Sequence, residues 1–342
     1  MSDQVVHRIS ERPIVEDKSV PGYGAIFNAG LIFFDGRYHL FARGIRDGYS
    51  RGPEGGPRFV DYFSDILVFT SVDGDHYDFA YVLAKAGESG VSCFEDPRVQ
   101  RVVSRGVEHT IMTYTDLPDP GSDMPHHIGA HYLHYDNGQF STSGTPSRYL
   151  GPPGVPNKDS VIFNLSDGRV AFIHRVHPNM QLAIFDDLEQ LWDASNDYWD
   201  EYMSKLGTYT LLEPTDGALG IGAGAPPFLT KDGLLMFFHE RQADGAYTIN
   251  LALLDQHTGR LVSRLPEPLM VPELEWELHG DVDNVVFVQG CYSDGDNVYL
   301  TYGAADSNVG AARTTVNALL SALHSPVEEL DPIAGADEEE RG

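Results

Sequence analysis

Asn28, Arg43, Glu95, Asp96, Asp116, Lys158, Asp159, His174, Arg175, His239, Glu240, Asn284 and Asp306 all stand at the beginning or end of apolar, strand-like runs. Carboxylates exchange protons, amides fix hydroxyl groups, and Lys, Arg and His hold anions. The cations stand out because the chain carries 51 acidic residues against 23 Lys and Arg, a formal net charge of −28. Lys158 is also one of only five lysines. Each residue alone has an ordinary explanation, since polar groups at strand ends face solvent or cap turns. Together they imply a binding or catalytic site.

The elements that must position this set form a repeat. Five segments share one plan, a polar residue, an apolar strand, a turn and a second apolar strand with a polar end. They begin at Asn28, Asp96, Lys158, Ala225 and Asn284, with spacings of 68, 62, 67 and 59 residues. Four turns contain Asp-Gly and one contains Arg-Gly, as hairpins favour. Weaker strand-like runs follow, namely DILVFTSVDGDHYDFAYVL, GAHYLHYDNGQF, MQLAIFDDLEQLW and TINLALLDQHTGRLV. Four strands in each of five units predict an all-β fold, a five-bladed β-propeller. A β-sandwich also uses many short strands, but the regular period favours the propeller.

The last unit lacks a clear outer pair, and TTVNALLSALH predicts a short C-terminal helix with Leu319, Leu320 and Leu323 on one face. Blades need neighbours to bury both faces, so residues 1–325 are expected to form a single propeller domain. Residues 326–342 read as an acidic, disordered tail. If each hairpin is the inner pair of a blade, its start and end meet at one mouth of the axis. Propellers bind ligands there.

Composition excludes several classes. The negative charge argues against nucleic acid and anionic membranes as partners. No apolar run reaches the ~18–20 residues of a membrane helix. The first residues, MSDQVVHRISERP, lack a signal-peptide core, and two cysteines make no disulfide framework, so a cytoplasmic location is expected. No metal is expected, because His126, His127, His131 and His134 come without a carboxylate motif. GIGAGAPP is followed by neither a helix nor Lys-Ser/Thr, so it reads as close backbone packing rather than a nucleotide loop. Trp192, Trp199 and Trp276 are expected in the core.

In chain order, FNAGLIFFDGRYHLFAR (27–43), FEDPRV (94–99), NKDSVIF (157–163), FIHR (172–175), GIGAGAPPF (220–228), FFHE (237–240), DNVVF (283–287) and YGAAD (302–306) resemble glycoside hydrolase family 130. That family comprises β-mannoside phosphorylases and related β-mannosidases, and the likeness spans roughly residues 20–325. It implies a five-bladed propeller with Asp96 as general acid. It implies Asn28, Arg43, Glu95 and Asp306 as substrate-binding residues, and a phosphate pocket built from Lys158, His239 and an arginine. Arg148 is the first choice for that arginine and Arg175 its competitor. The Gly/Pro-rich segment 44–64 and the stretch SDMPHHIGAHYLH depart from the pattern and are expected to reshape the acceptor end.

Inverting cleavage needs a proton for the leaving oxygen and a nucleophile on the opposite face of the sugar. Water would require a second carboxylate as base. Inorganic phosphate arrives already anionic and requires cationic donors instead. The expected reaction is phosphorolysis of a β-mannosidic bond in a small β-mannoside or manno-oligosaccharide. It would give α-mannose 1-phosphate, with phosphate as co-substrate and no cofactor. An inverting β-mannosidase and a non-catalytic sugar-binding propeller are the alternatives, and the terminal helix allows for a homo-oligomer. Asp96 would have neighbouring carboxylates raising its pKa and arginines lowering it.

Overall fold

Residues alternate across a strand with period two, so each strand of a propeller faces a different neighbour with each of its two sides. In the computed structural model, which describes residues 5–52, 59–87, 91, 93–118, 124–142 and 147–324, this alternation runs right round the ring. Leu31 packs toward the last blade with Tyr299 and Ala311, while Ile32 packs toward the next blade with Val99 and Met112. Likewise Leu234, Met236 and Phe238 join Val161 and Ile173 on one side, whereas Leu235 and Phe237 join Val286 and Leu300 on the other. Each buried side chain of this size contributes roughly 1.5–3 kcal/mol.

Among the described residues, five antiparallel blade sheets result, beside a two-stranded ribbon of Ser50–Arg51 and Phe59–Val60. Blade 1 uses Tyr23–Phe34, Arg37–Arg46, Ser64–Ser71 and Asp78–Ala84. Blade 2 uses Phe94–Ser104, Val107–Asp116, His127–Asp136 and Gln139–Ser141, with Arg148–Leu150 also pairing the third strand. Blade 3 uses Lys158–Asn164, Val170–Arg175, Met180–Phe185 and Thr210–Leu212.

In blade 4 the inner position is shared by Gly220–Ala223 and Phe228–Leu229, both paired with Leu234–Arg241, before Tyr247–Leu254 and Leu261–Arg264. Its entering strand therefore begins ahead of Ala225. Blade 5 uses Val286–Asp294, Asn297–Ala304 and Asn308–Thr315, and takes its outermost strand, His7–Arg8, from the N-terminal end. The outer pair missing from the sequence pattern is thus supplied by Asn308–Thr315 and His7–Arg8. Arg8 secures this joint, donating from Nε and Nη2 to the buried Glu277 at 2.8 Å each.

In blade 3, LEQLW is helical, not strand. Leu188–Trp192 and Asn196–Ser204 are helices capped by Asp187 and Ser195, whose side chains accept from Gln190 N and Tyr198 N. Their buried Leu188, Leu191, Trp199 and Tyr202 join the core between blades 2 and 3. Val316–His324 forms the terminal helix, seating Leu319 and Leu320 against blades 4 and 5. Residues 326–342 lie outside the described residues. Among the described residues no helix is long and apolar enough to cross a membrane.

Candidate active site

Near the start of three inner strands the ladder slips by a bulge, between Phe27 and Gly30, Glu95 and Arg98, and Lys158 and Val161. A bulge re-aims its residues, and here each contains a non-glycine residue at positive φ: Asn28 at 46°, Asp96 at 51° and Asp159 at 54°. Asn and Asp tolerate this left-handed conformation better than other side chains. All three are buried, and a strained backbone at a ring of polar side chains is typical of functional sites.

Asn28 and Asp96 line an axial cavity of about 250 Å³ together with Arg43, Glu95, Lys158, Arg175, His239 and Asp306. The chain thus brings together every substrate- and phosphate-binding candidate except Arg148. Arg148 is half-buried at the edge of blade 2, with its guanidinium 5.7 Å from the Trp192 ring centre, and it does not line the cavity. Its strand pairs with the third strand of blade 2, away from the axis. Arg175, on an inner hairpin, occupies the wall instead.

Sequence reasoning missed Tyr62, Arg241, Tyr247 and Asp281, which also line the cavity. Arg241 had a legible signal, since it lies two residues beyond His239 on one strand and so shares its face. Tyr62 and Phe59 come from the irregular 44–64 segment, whose residues 53–58 lie outside the described residues. Asp116, Asp159, His174, Glu240 and Asn284 do not line it. Asp116 accepts from Tyr149 at 3.0 Å, Glu240 accepts from Thr215, and His174 is held between Asn157 and Tyr202 at 3.1 Å each. The tryptophans do not line it either. Among the described residues, no cluster of three or more His, Cys, Asp or Glu suits a metal.

The walls are chemically divided. On one side Asp96 Oδ1 accepts from Asn28 Nδ2 at 2.8 Å and from Arg43 Nη1 at 3.1 Å, while Oδ2 takes no donor among the described residues. Arg43 also donates to Glu95 and Tyr62, and the Tyr62 hydroxyl donates to Glu95 at 2.6 Å. Burial would raise the pKa of Asp96, but Arg43, Lys158, Arg98 and the Asn28 hydrogen bond outweigh it and lower the carboxyl. The balance between carboxylates and arginines therefore falls to the cations.

On the other side stand Lys158, Arg175, His239 and Arg241. Lys158 makes no hydrogen bond or ion pair among the described residues, and burial with Arg175 nearby lowers its pKa. The Arg241 guanidinium sits 5.8 Å from the Tyr247 ring centre, without a carboxylate partner among the described residues. Burial pushes His239 down to about 4, against the opposing pull of Asp159. Arg98 does not face the cavity. It is buried and donates to the carbonyls of Gly224 (2.8 Å), Ala223 (2.6 Å) and Asp96 (3.2 Å) and to Asp159 (3.3 Å), tying three blades together.

The family model described as beta-1,4-mannooligosaccharide phosphorylase, Glyco_hydro_130, matches residues 3–325. A 1,2-beta-oligomannan phosphorylase of Thermoanaerobacter sp. (strain X514) is 27% identical over 89% of this chain and 95% of that protein. A beta-1,2-mannobiose phosphorylase of the same organism is 26% identical with the same coverage. The solved structure of beta-1,2-mannobiose phosphorylase from Listeria innocua, in complex with beta-1,2-mannobiose, superposes with a TM-score of 0.74. It is 18% identical and covers 93% of this chain and 99% of its own. The fold, the divided axial cavity and these matches define a five-bladed propeller enzyme that acts on glycosides. The chain belongs to glycoside hydrolase family 130, the mannoside phosphorylases.

Proposed function

We propose that this enzyme cleaves the β-1,2-mannosidic bond of mannobiose or a short oligomannan with inorganic phosphate, inverting the anomeric carbon. The product is α-mannose 1-phosphate plus the shortened acceptor. The observation that carries the reading is the unpaired Lys158 ammonium, set with Arg175, His239 and Arg241 in the same cavity as Asp96. Lys158 and Arg241 have no carboxylate partner among the described residues, and free cations of this kind suit an anionic nucleophile and are of no use to a water-activating hydrolase. The β-1,2 linkage is supported by the two relatives that cover 89% of the chain.

In this reading Asn28, Arg43, Glu95 and Asp306 hold the cleaved mannose, and Asp96 Oδ2 supplies the proton for the leaving oxygen, directly or through a sugar hydroxyl. The lowered pKa leaves Asp96 ionised in the free enzyme, so its proton must arrive with the substrates. Phosphate bound against Lys158 offsets one of the charges that hold Asp96 deprotonated, and so raises its proton affinity. We take residues 1–325 as one catalytic unit. The test is turnover of β-1,2- and β-1,4-mannobiose with and without phosphate. Mannose 1-phosphate from the β-1,2 substrate only when phosphate is present is the expected result. Equal sugar release without phosphate would establish a hydrolase.

A further inference from the structure

Asp159 poses a question that phosphorolysis alone does not answer, namely why a buried carboxylate stands directly behind a wall that must attract an anion. It is 1% exposed, held at positive φ on the blade 3 bulge. Its Oδ2 lies 3.2 Å from Arg175 Nε and 3.6 Å from His239 Nε2, and its Oδ1 accepts from Arg98. Space for this arrangement comes from Gly222, directly opposite His239 in the blade 4 ladder. A Cβ there would collide with Asp159 Oδ2 and come within 2.6 Å of His239 Nε2. With Nε2 turned toward Asp159, the other ring nitrogen, Nδ1, is buried and has no hydrogen-bond partner among the described residues.

We infer that Asp159 and His239 form a carboxylate–histidine pair that loads His239 with a proton when the anionic co-substrate binds, so that the imidazolium donates from Nε2 to Asp159 and from Nδ1 to the anion. Asp159 is then a positioning residue. A second anion beside His239 adds to the pull of Asp159 and overcomes the desolvation that keeps the ring neutral in the free enzyme. The proton comes from solvent, or from a phosphate monoanion that is left bound as the dianion. The charged and titratable groups around His239 are Asp159, Arg175 and Lys158 of blade 3, Arg98 of blade 2 and Tyr247 of blade 4, while blade 5 presents the Phe287 ring at 4.0 Å. Gly222 keeps the gap open.

This inference rests on the phosphorolysis reading, and the experiment separates the two. Sulfate, a dianion that does not titrate near neutrality, is bound by isothermal titration calorimetry in two buffers of different ionisation enthalpy at one pH. The wild type is expected to take up about one proton per sulfate, seen as a buffer-dependent enthalpy. Asp159→Asn is expected to take up none. His239→Gln, which leaves Arg98 and Asp159 paired, is expected to abolish uptake as well and decides the matter if Asp159→Asn does not fold. Gly222→Ala should weaken sulfate about tenfold or more, with the mannobiose KM unchanged, through loss of a charge-assisted contact. Proton uptake retained in Asp159→Asn or His239→Gln, or none in the wild type, overturns the inference. Turnover that needs no phosphate overturns the phosphorolysis reading itself.

Discussion

Asn28 Nδ2 donates to Asp96 Oδ1 at 2.8 Å across the joint between blades 1 and 2, and both residues hold positive φ to do so. With Arg43 on the same oxygen, the carboxyl is locked at Oδ1 and left with Oδ2 as its reactive atom. Asp96→Asn keeps the shape but cannot give a proton from that atom. Phosphorolysis should fall by about 10²–10⁴-fold, the usual worth of a positioned general acid. Binding of mannobiose, measured calorimetrically, should persist. A variant with wild-type turnover would remove Asp96 from the reaction.

Lys158 has no hydrogen-bond or ion-pair partner among the described residues, so its removal should act on one substrate. Lys158→Met is expected to raise the phosphate KM about tenfold or more, as loss of a charge-assisted contact implies, and to change mannobiose binding little. Initial rates with each substrate varied in turn give the split. Equal effects on both constants would place Lys158 against the sugar instead.

The two cavity walls were unequally legible in the sequence. Asn28, Asp96 and Lys158 could be found because each opens a hairpin that repeats along the chain, and repeats are visible in a single sequence. Blade 4 blurred this signal, since Gly220–Ala223 replaces a polar start with glycines and its polar partners lie on the returning strand. Tyr62 was hidden because an irregular segment carries no period, and only tertiary folding brings its hydroxyl to Glu95. Arg148 rested on the family resemblance alone, through a loosely aligned stretch, and its strand pairs with the third strand of blade 2, away from the axis. The fifth blade's closing strand was invisible for another reason: two residues, His7 and Arg8, have no pattern of their own and are specified by pairing with Arg313 and Ala312.

Acid should destabilise the fold through its buried histidines. Burial pushes His174 down to about 3 in the folded state, against about 6.5 in an unfolded chain. Between those values the unfolded chain binds a proton that the native state refuses, so stability is lost as pH falls from about 6.5 toward 3, at up to roughly 1.4 kcal/mol per pH unit for this group. His239, pushed down to about 4, acts in the same direction over a narrower window. Urea midpoints measured across this range should decline with acidity. His174→Gln should flatten the decline even if it lowers the midpoint at neutral pH. A slope unchanged by the substitution would assign the effect elsewhere.

Ring closure should depend on Arg8 more than a near-terminal residue ordinarily would. The Glu277 side chain is 0% exposed and accepts from Arg8 Nε and Nη2, from the Tyr302 hydroxyl at 2.8 Å, and from the backbone N–H groups of Glu273 and Leu274. Arg8→Ala leaves that carboxylate buried without a cation, which costs about 3–5 kcal/mol when the partner cannot reach water. Glu277→Gln in the same chain removes the stranded charge, so the double variant should recover part of the loss, a coupling that a double-mutant cycle in guanidinium chloride measures directly. Additive losses would mean that blade 5 holds without this pair. The closure would then rest on the two-residue ladder and on the apolar contacts of Val6 with blades 4 and 5.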